Sequence, residues 1–417
     1  MFRWLTGGES HGPGLTVVVD GLPAGVPLAA ERLAAEMARR QRGYGRGGRM
    51  RIERDQARFL GGVRHGRSTG APVVLWIENR DWPTWEAVMD PAGAAPATGA
   101  GEVTGSAPLT AAERRAAPVE RPRPGHADLA GALKYGHRDM RDVLERASAR
   151  ETAARTAAGA VARALLEELG IEVGSFVERI GPAAWEREPA FPADPDPWRR
   201  WAEAAEGSPV RCPDGAAGAA MMAAIDEALR AGDTLGGRFV AFALGVPPGL
   251  GSYVQWDRRL DGRLAQAILS IPGVKAVAVG AGESMAELPG SLVHDPLEPD
   301  PRGPRPGRFH RSSDRAGGIE GGVTNGEPVV VSGVMKPLAT LRKALPSVHM
   351  PSGRPGDATF ERSDVCVVPA AGVVAEAMLA LVLAEALLEK FGGDSLEEVR
   401  GRLEERRRAW EAGWPWA

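Results

Sequence analysis

Residues 372–391 read GVVAEAMLALVLAEALLEKF, and no other stretch limits the possible folds as much. Apolar positions run nearly all round the helix that this sequence would form, so no face is left for water. Such a helix belongs either at the centre of a core or at an interface between subunits. Glu376, Glu385 and Glu389 interrupt it and Gly392 follows it, which argues against a membrane span of the usual ~20 apolar residues. A chain of 417 residues with 43 % apolar composition has enough material to bury it. The start, MFRWLTGGESHG, lacks the pattern of a secretory signal. Cys212 and Cys366 are the only cysteines, too few for a disulfide framework or a cysteine-based zinc site. A cytoplasmic globular protein is the expectation.

The rest of the chain alternates helix and strand. Residues 15–20 and 72–78 read as strands, and 29–42 as a helix between them. A helix is expected from Ser148, with Ser148 and Glu151 spaced as a capping box and Gly170 as a left-handed terminator. It leads into a strand at 171–181. A second helix at 216–231 leads into a second strand at 238–247. This repeated order suggests an α/β protein with two similar layers. A short helix at 258–270, a strand at 271–280 and a strand after the Asn325–Gly326 turn complete the regular part. Residues 90–118 have little periodicity, and 182–211 are Pro- and Trp-rich and read as irregular. Residues 285–316 have few large apolar side chains and read as a mobile segment that orders on a ligand. The end, RRRAWEAGWPWA, reads as a peripheral helix with a loose end.

Four clusters carry chemistry: Gly8-Glu9-Ser10-His11-Gly12, the Arg/Gly loop at 42–51, the His126–Asp128 stretch with its downstream arginines, and GGIEGG with KPLAT. Arg138, Arg141 and Arg146 crowd the expected helix start at Ser148. Side-chain cations beside a helix N-terminus are a means of holding an anion. His11 and His126 each follow glycine-containing turns where a large side chain has no core to enter, and histidine suits proton transfer near neutral pH. The net charge of −3 speaks against a general nucleic-acid binder. Neither a metal site nor a P-loop motif is present.

Taken together, GGESHGPGL, RGYGRGGRMRIERD, RPGHAD with KYG and RASARETAARTA, GGIEGGVTNGEPVVV with KPLAT, and RSDVCVVPAAGVVAEAMLALVLAEALL closely resemble the chorismate synthase family. The resemblance extends from the N-terminus to about residue 391. The segments 88–118 and 182–210 carry no matching motif. It implies an α+β sandwich, a single large domain over 1–417 with helices and sheets in two similar halves. Residues 88–118 and 285–316 would be long loops and 400–417 a peripheral tail. It also implies a phosphate lyase: 1,4-elimination of phosphate from 5-enolpyruvylshikimate 3-phosphate to give chorismate, with reduced FMN and no net redox change. That substrate carries two carboxylates and a phosphate, which suits a site rich in arginine.

The same resemblance implies site residues. His11 and His126 would be catalytic, one protonating the reduced flavin and the other assisting the departing phosphate. Asp364 would help to remove the ring proton. FMN would contact Arg146, Ala147, Ser148, Pro272, Gly273, Gly321, Lys336, Pro337, Leu338, Ala339, Thr340 and Arg362. Ser10, Arg40, Arg46, Arg49, Arg138 and Arg141 would hold the substrate, with Arg40 and Arg46 at positions associated in the family with NADP. Ser148 is placed to cap its helix, to contact FMN, or both. IPGVK and KPLAT are small departures from the commoner family versions of those loops, and both keep backbone contacts available. A homotetramer is implied. The sequence shows no nucleotide-binding fingerprint, so the reductant is expected to come from outside, from an external flavin reductase drawing on NADPH. No metal, nucleic acid or membrane partner is expected. The alternatives are another FMN-dependent oxidoreductase and an RNA-binding protein gripping its ligand through the Arg/Gly loop.

Overall fold

The computed structural model describes residues 1–47, 55–93, 115–188, 190–299, 309–359 and 364–412. Two antiparallel sheets enclose a layer of helices. The first sheet contains β1 (Arg3–Gly7), β2 (Gly14–Asp20), β3 (Ala57–Gly61) and β4 (Val73–Glu78) in the order β1-β2-β4-β3. On β2 and β4 the alternate residues Leu15, Val17, Val19, Val73, Leu75 and Ile77 are buried, as the two-residue period of a one-sided strand requires. Between β2 and β3 runs α1 (Ala30–Gln41), which buries Leu33, Met37 and Arg40. After β4 comes α2 (Trp82–Met89), none of whose residues is fully buried.

Two short helices follow, α3 (Asp128–Tyr135) and α4 (Arg141–Leu144), then the long α5 (Glu151–Glu168). The expected capping box is absent. Arg150 is the N-cap residue and no side chain caps the helix. The Ser148 hydroxyl donates instead to the Ser10 hydroxyl at 3.0 Å, and the Glu151 carboxylate accepts from Thr6 and Arg155. A tertiary partner has outcompeted the local cap. The expected terminator is present: Gly170 has φ +79°, and the Gly170 and Ile171 amides donate to the Glu167 and Leu166 carbonyls.

The second sheet is built from β5 (Glu172–Ile180), β6 (Ala183–Ala184), β7 (Gly237–Leu244), β8 (Val274–Val279) and β9 (Val329–Met335), in the order β8-β9-β7-β5-β6. Its two central strands, β7 and β9, are near-continuous apolar runs with almost every residue buried, as coverage of both faces requires. The region expected to be irregular, 182–211, contains α6 (Pro195–Gly207). Asp194 caps it by accepting from the Asp196 amide at 3.0 Å. Its Trp198 and Trp201 pack with Phe176 and Phe242 on the outer side of the sheet. The prolines there start the helix, and the tryptophans are its buried face. Next come α7 (Gly215–Ala231) and α8 (Leu260–Leu269). The segment 285–316 is also more structured than expected. Among its described residues are a helical turn, Gly290–Val293, and a two-stranded ribbon, Leu297–Pro299 with Phe309–Arg311.

The most apolar stretch forms α9 (Val368–Phe391), longer at its start than the 372–391 span, and it lies at the centre. It packs on α5 and on β5 and β7, while α5 faces β2. Gly159 of α5 lets the two helices touch: a Cβ there would lie 2.2 Å from the Ala377 Cβ. Glu376, a buried charge of α9, is bound by Ser175, Arg39, Arg163 and Arg211 at 2.6–3.2 Å. Burial opposes its ionisation, but the three guanidinium groups outweigh burial and hold its pKa low. The tail is partly docked. α10 (Leu396–Glu411) starts on a Ser395 cap and buries Leu396, Val399 and Leu403.

Candidate active site

Between β1 and β2 the chain turns through Gly8–Pro13, with Gly8 at φ +96° against the Gly14 carbonyl. No side chain could take that conformation in that space. The turn carries Ser10 and His11 into the protein, where both are buried. Glu145, just beyond α4, holds them. Its carbonyl accepts from the Ser10 amide at 3.0 Å. Its carboxylate accepts from the His11 amide at 2.7 Å and lies 2.8 Å from His11 Nδ1. Trp85 of α2 stacks on the imidazole with ring centroids 3.9 Å apart, and the Arg141 guanidinium lies 5.4 Å from the Trp85 ring centre.

The arginines around this corner divide by role. Arg150 donates to the Ser10 carbonyl and to Asp55. Arg40 donates to Asp55, Thr152 and the Ala149 carbonyl. Arg146 donates to the Gly8 and Thr6 carbonyls and to the Thr6 hydroxyl. These three brace the turn against the start of α5. Arg141 differs: it is buried, yet its Nη1 has no hydrogen-bond partner among the described residues. Its nearest acidic group is Glu145, at 3.9 Å. A buried guanidinium with an unfilled donor favours an incoming anion. Arg138 is exposed.

His126 sits in a second set of contacts. Its Nδ1 lies 2.6 Å from the buried Asp128 carboxylate, which Arg123 also grips. Burial alone would raise the Asp128 pKa, but the hydrogen bonds from His126 and Arg123 hold it well below the usual carboxylate range. Arg123 also donates to the Thr340 hydroxyl at 3.2 Å, and Lys336 Nζ donates to the Gly125 carbonyl at 2.5 Å. The His126 loop is thus docked on 336–340. The Lys336 amide donates to the Gly273 carbonyl, which adds Pro272–Gly273 to the group. Burial, aided by Lys275, pushes the Lys336 ammonium below the ordinary lysine range.

Thr340 connects this group to a cleft of about 210 Å³ lined by Tyr44–Gly47, Gly232–Thr234, Arg342 and Asp364. Asp364 accepts from the Gly47 amide at 2.5 Å and pairs with Arg46 Nε at 3.3 Å. Burial raises the thiol of nearby Cys366 to about 11, so it is not a thiolate at neutral pH.

The expected site residues therefore fall into three neighbourhoods, the second and third of them joined at Thr340. Ser10, His11, Arg40, Arg141, Arg146, Ala147 and Ser148 form one, His126, Pro272, Gly273 and Lys336–Thr340 the second, and Arg46 and Asp364 the third. Gly321 stands apart. Its neighbour Gly322 meets the start of α8, whereas Pro272–Gly273 follow the end of that helix. Arg49 and Arg362 lie outside the described residues. Sequence reasoning missed Glu145, Trp85, Asp55, Arg150 and Arg123. Arg123 and Arg150 lie within motifs already singled out. Glu145 and Trp85 carry no local signal, because their partners are distant in sequence.

Comparison with known proteins agrees across the chain. Residues 2–388 match the family model described as chorismate synthase. A protein named chorismate synthase from Desulforudis audaxviator is 55 % identical over 417 residues, spanning 99 % of this chain and 100 % of its own. Another so named, from Moorella thermoacetica, is 54 % identical over 404 residues, 97 % of each chain. A solved structure titled "Crystal Structure of Chorismate Synthase" superposes with a TM-score of 0.76 at 40 % identity, over 99 % of this chain and 98 % of the other.

Proposed function

The chain belongs to the chorismate synthase family, and from that premise we propose how its own residues serve the reaction. The family's reaction is the 1,4-elimination of phosphate from 5-enolpyruvylshikimate 3-phosphate to give chorismate, a lyase step in aromatic amino acid biosynthesis. The C–O bond to phosphate breaks, a ring C–H gives up its proton, and the electrons left behind complete the new double bond.

The observation that carries the assignment of residues is the buried corner of Ser10, His11 and Arg141. Arg141 Nη1, unfilled among the described residues, and the Ser10 hydroxyl take an anionic group of the substrate. His11 holds a proton beside it for the departing phosphate oxygen, where negative charge develops. Asp364, held by Gly47 and Arg46, receives the ring proton. His126, braced by Asp128, is the second acid–base group. Arg40 already has protein acceptors on each of its three nitrogens, so we read it as a brace and leave nucleotide or substrate contact to Arg46.

We assign the cofactor as reduced FMN. The donors present suit a phosphate-bearing flavin: the Thr340 hydroxyl, Lys336 and Arg342, with Gly273 beside them, and the Arg146–Ser148 corner. A reduced flavin held there would supply electron density to the elimination with no net redox change. The chain works as a cytoplasmic homotetramer supplied by an external flavin reductase. The exposed apolar side chains Tyr253, Val254 and Trp256 support assembly.

The test is anaerobic turnover of the phosphorylated substrate with chemically reduced FMN. Chorismate and phosphate are expected in large excess over the reductant consumed. Reductant use in proportion to product would make the protein a true oxidoreductase instead. Oxidised FMN with NADPH alone should give no chorismate, and its formation would remove the need for an external reductase.

A further inference from the structure

We propose that Glu145 is a positioning residue: it fixes His11 as the tautomer protonated on Nδ1 and so leaves Nε2 as the nitrogen that exchanges protons with the substrate. This rests on the reading of His11 as an acid–base group. Both Glu145 carboxylate oxygens are spent on one residue. One accepts from the His11 amide at 2.7 Å and the other faces its Nδ1 at 2.8 Å. The Glu145 side chain is wholly buried, and its carbonyl holds the preceding Ser10 amide. An ionised carboxylate only accepts hydrogen bonds. The Nδ1 beside it must therefore carry hydrogen, and in neutral imidazole the lone pair then lies on Nε2. Trp85 stacked on the ring prevents it from turning over to offer the other nitrogen. When Nε2 takes a proton, the imidazolium forms against the carboxylate, which offsets the nearby charge of Arg141.

A purely structural Glu145, one that only ties the end of α4 to the turn between β1 and β2, would act through shape alone. The substitution Glu145→Gln separates the two ideas, because it keeps shape and size. Glutamine has a single oxygen, and the His11 amide, a fixed donor, claims it. The amide NH₂ then faces Nδ1, which becomes an acceptor, and the ring proton moves to Nε2.

The experiment is ¹⁵N NMR of histidine-labelled protein without flavin, the His11 signals identified by their loss in His11→Asn, together with steady-state kinetics and a thermal melt. The wild type should show His11 protonated on Nδ1 in its neutral form. E145Q should show the proton on Nε2, with kcat lowered at least about 10-fold and KM little changed. A wild-type ring protonated on Nε2, or an unchanged tautomer in folded E145Q, would overturn the proposal. A switched tautomer with wild-type kcat would uphold the control by Glu145 and remove His11 from the mechanism. If E145Q does not fold, the wild-type spectrum alone decides the tautomer.

Discussion

At the scale of single residues, the two candidate catalytic histidines share one arrangement reached along different routes. His11 meets Glu145 across 134 positions of sequence, whereas His126 meets Asp128 two positions away. Each imidazole turns Nδ1 to a buried carboxylate. Replacing either histidine by alanine should lower kcat on the order of 100-fold or more, the size of a lost acid–base group, measured in variants shown to be folded. Wild-type turnover in a folded variant would exclude that histidine. Asp128 also predicts a pH effect on stability. Its folded pKa lies below the unfolded value of 3.8, so the folded state gains stability from its ionised form above about pH 4. That gain is lost as pH falls toward the folded value. Urea midpoints for Asp128→Asn should therefore fall less steeply between about pH 4 and 2 than those of the wild type. Parallel curves would show that Asp128 contributes no such linkage. The His126-x-Asp128 spacing was open to view in the sequence. Glu145 was not, because nothing local distinguishes it from any other helix-end glutamate.

At the scale of elements, periodicity located most helices and strands to within a few residues, because burial on one face repeats at the pitch of the element. It failed for 182–211, where proline and tryptophan looked like loop residues. There Pro195 and Pro197 open α6, and Trp198 is wholly buried against the second sheet. It failed at Ser148 too, since a hydroxyl can cap a helix or reach another turn, and Ser10 was the nearer partner in three dimensions. The contact between α5 and α9 depends on Gly159. Gly159→Ala should cost about 1–3 kcal/mol in urea denaturation, the range for overpacking a core. Unchanged stability would mean that the two helices can separate without penalty.

At the scale of the whole molecule, the surface loop carrying Tyr253, Val254 and Trp256 leaves large apolar groups exposed in the single chain, and assembly would cover them. Sedimentation should give four times the 44.0 kDa chain mass, and Trp256→Glu should shift it to smaller species. A monomeric wild type would contradict the tetramer. The sequence by itself determined that 372–391 had to be enclosed, that the helix after Ser148 ended at Gly170, and, through the order of its motifs, which family the chain joins. Those features are local or linear: periodicity, a left-handed glycine, a string of motifs. Only the tertiary structure decided that the enclosing was done by the chain's own sheets, that Glu376 found three arginines there, and that Glu145 and Trp85 closed around His11. Buried charges and hydrogen-bond donors take whatever partner folding brings within about 3 Å, and sequence spacing does not encode that distance.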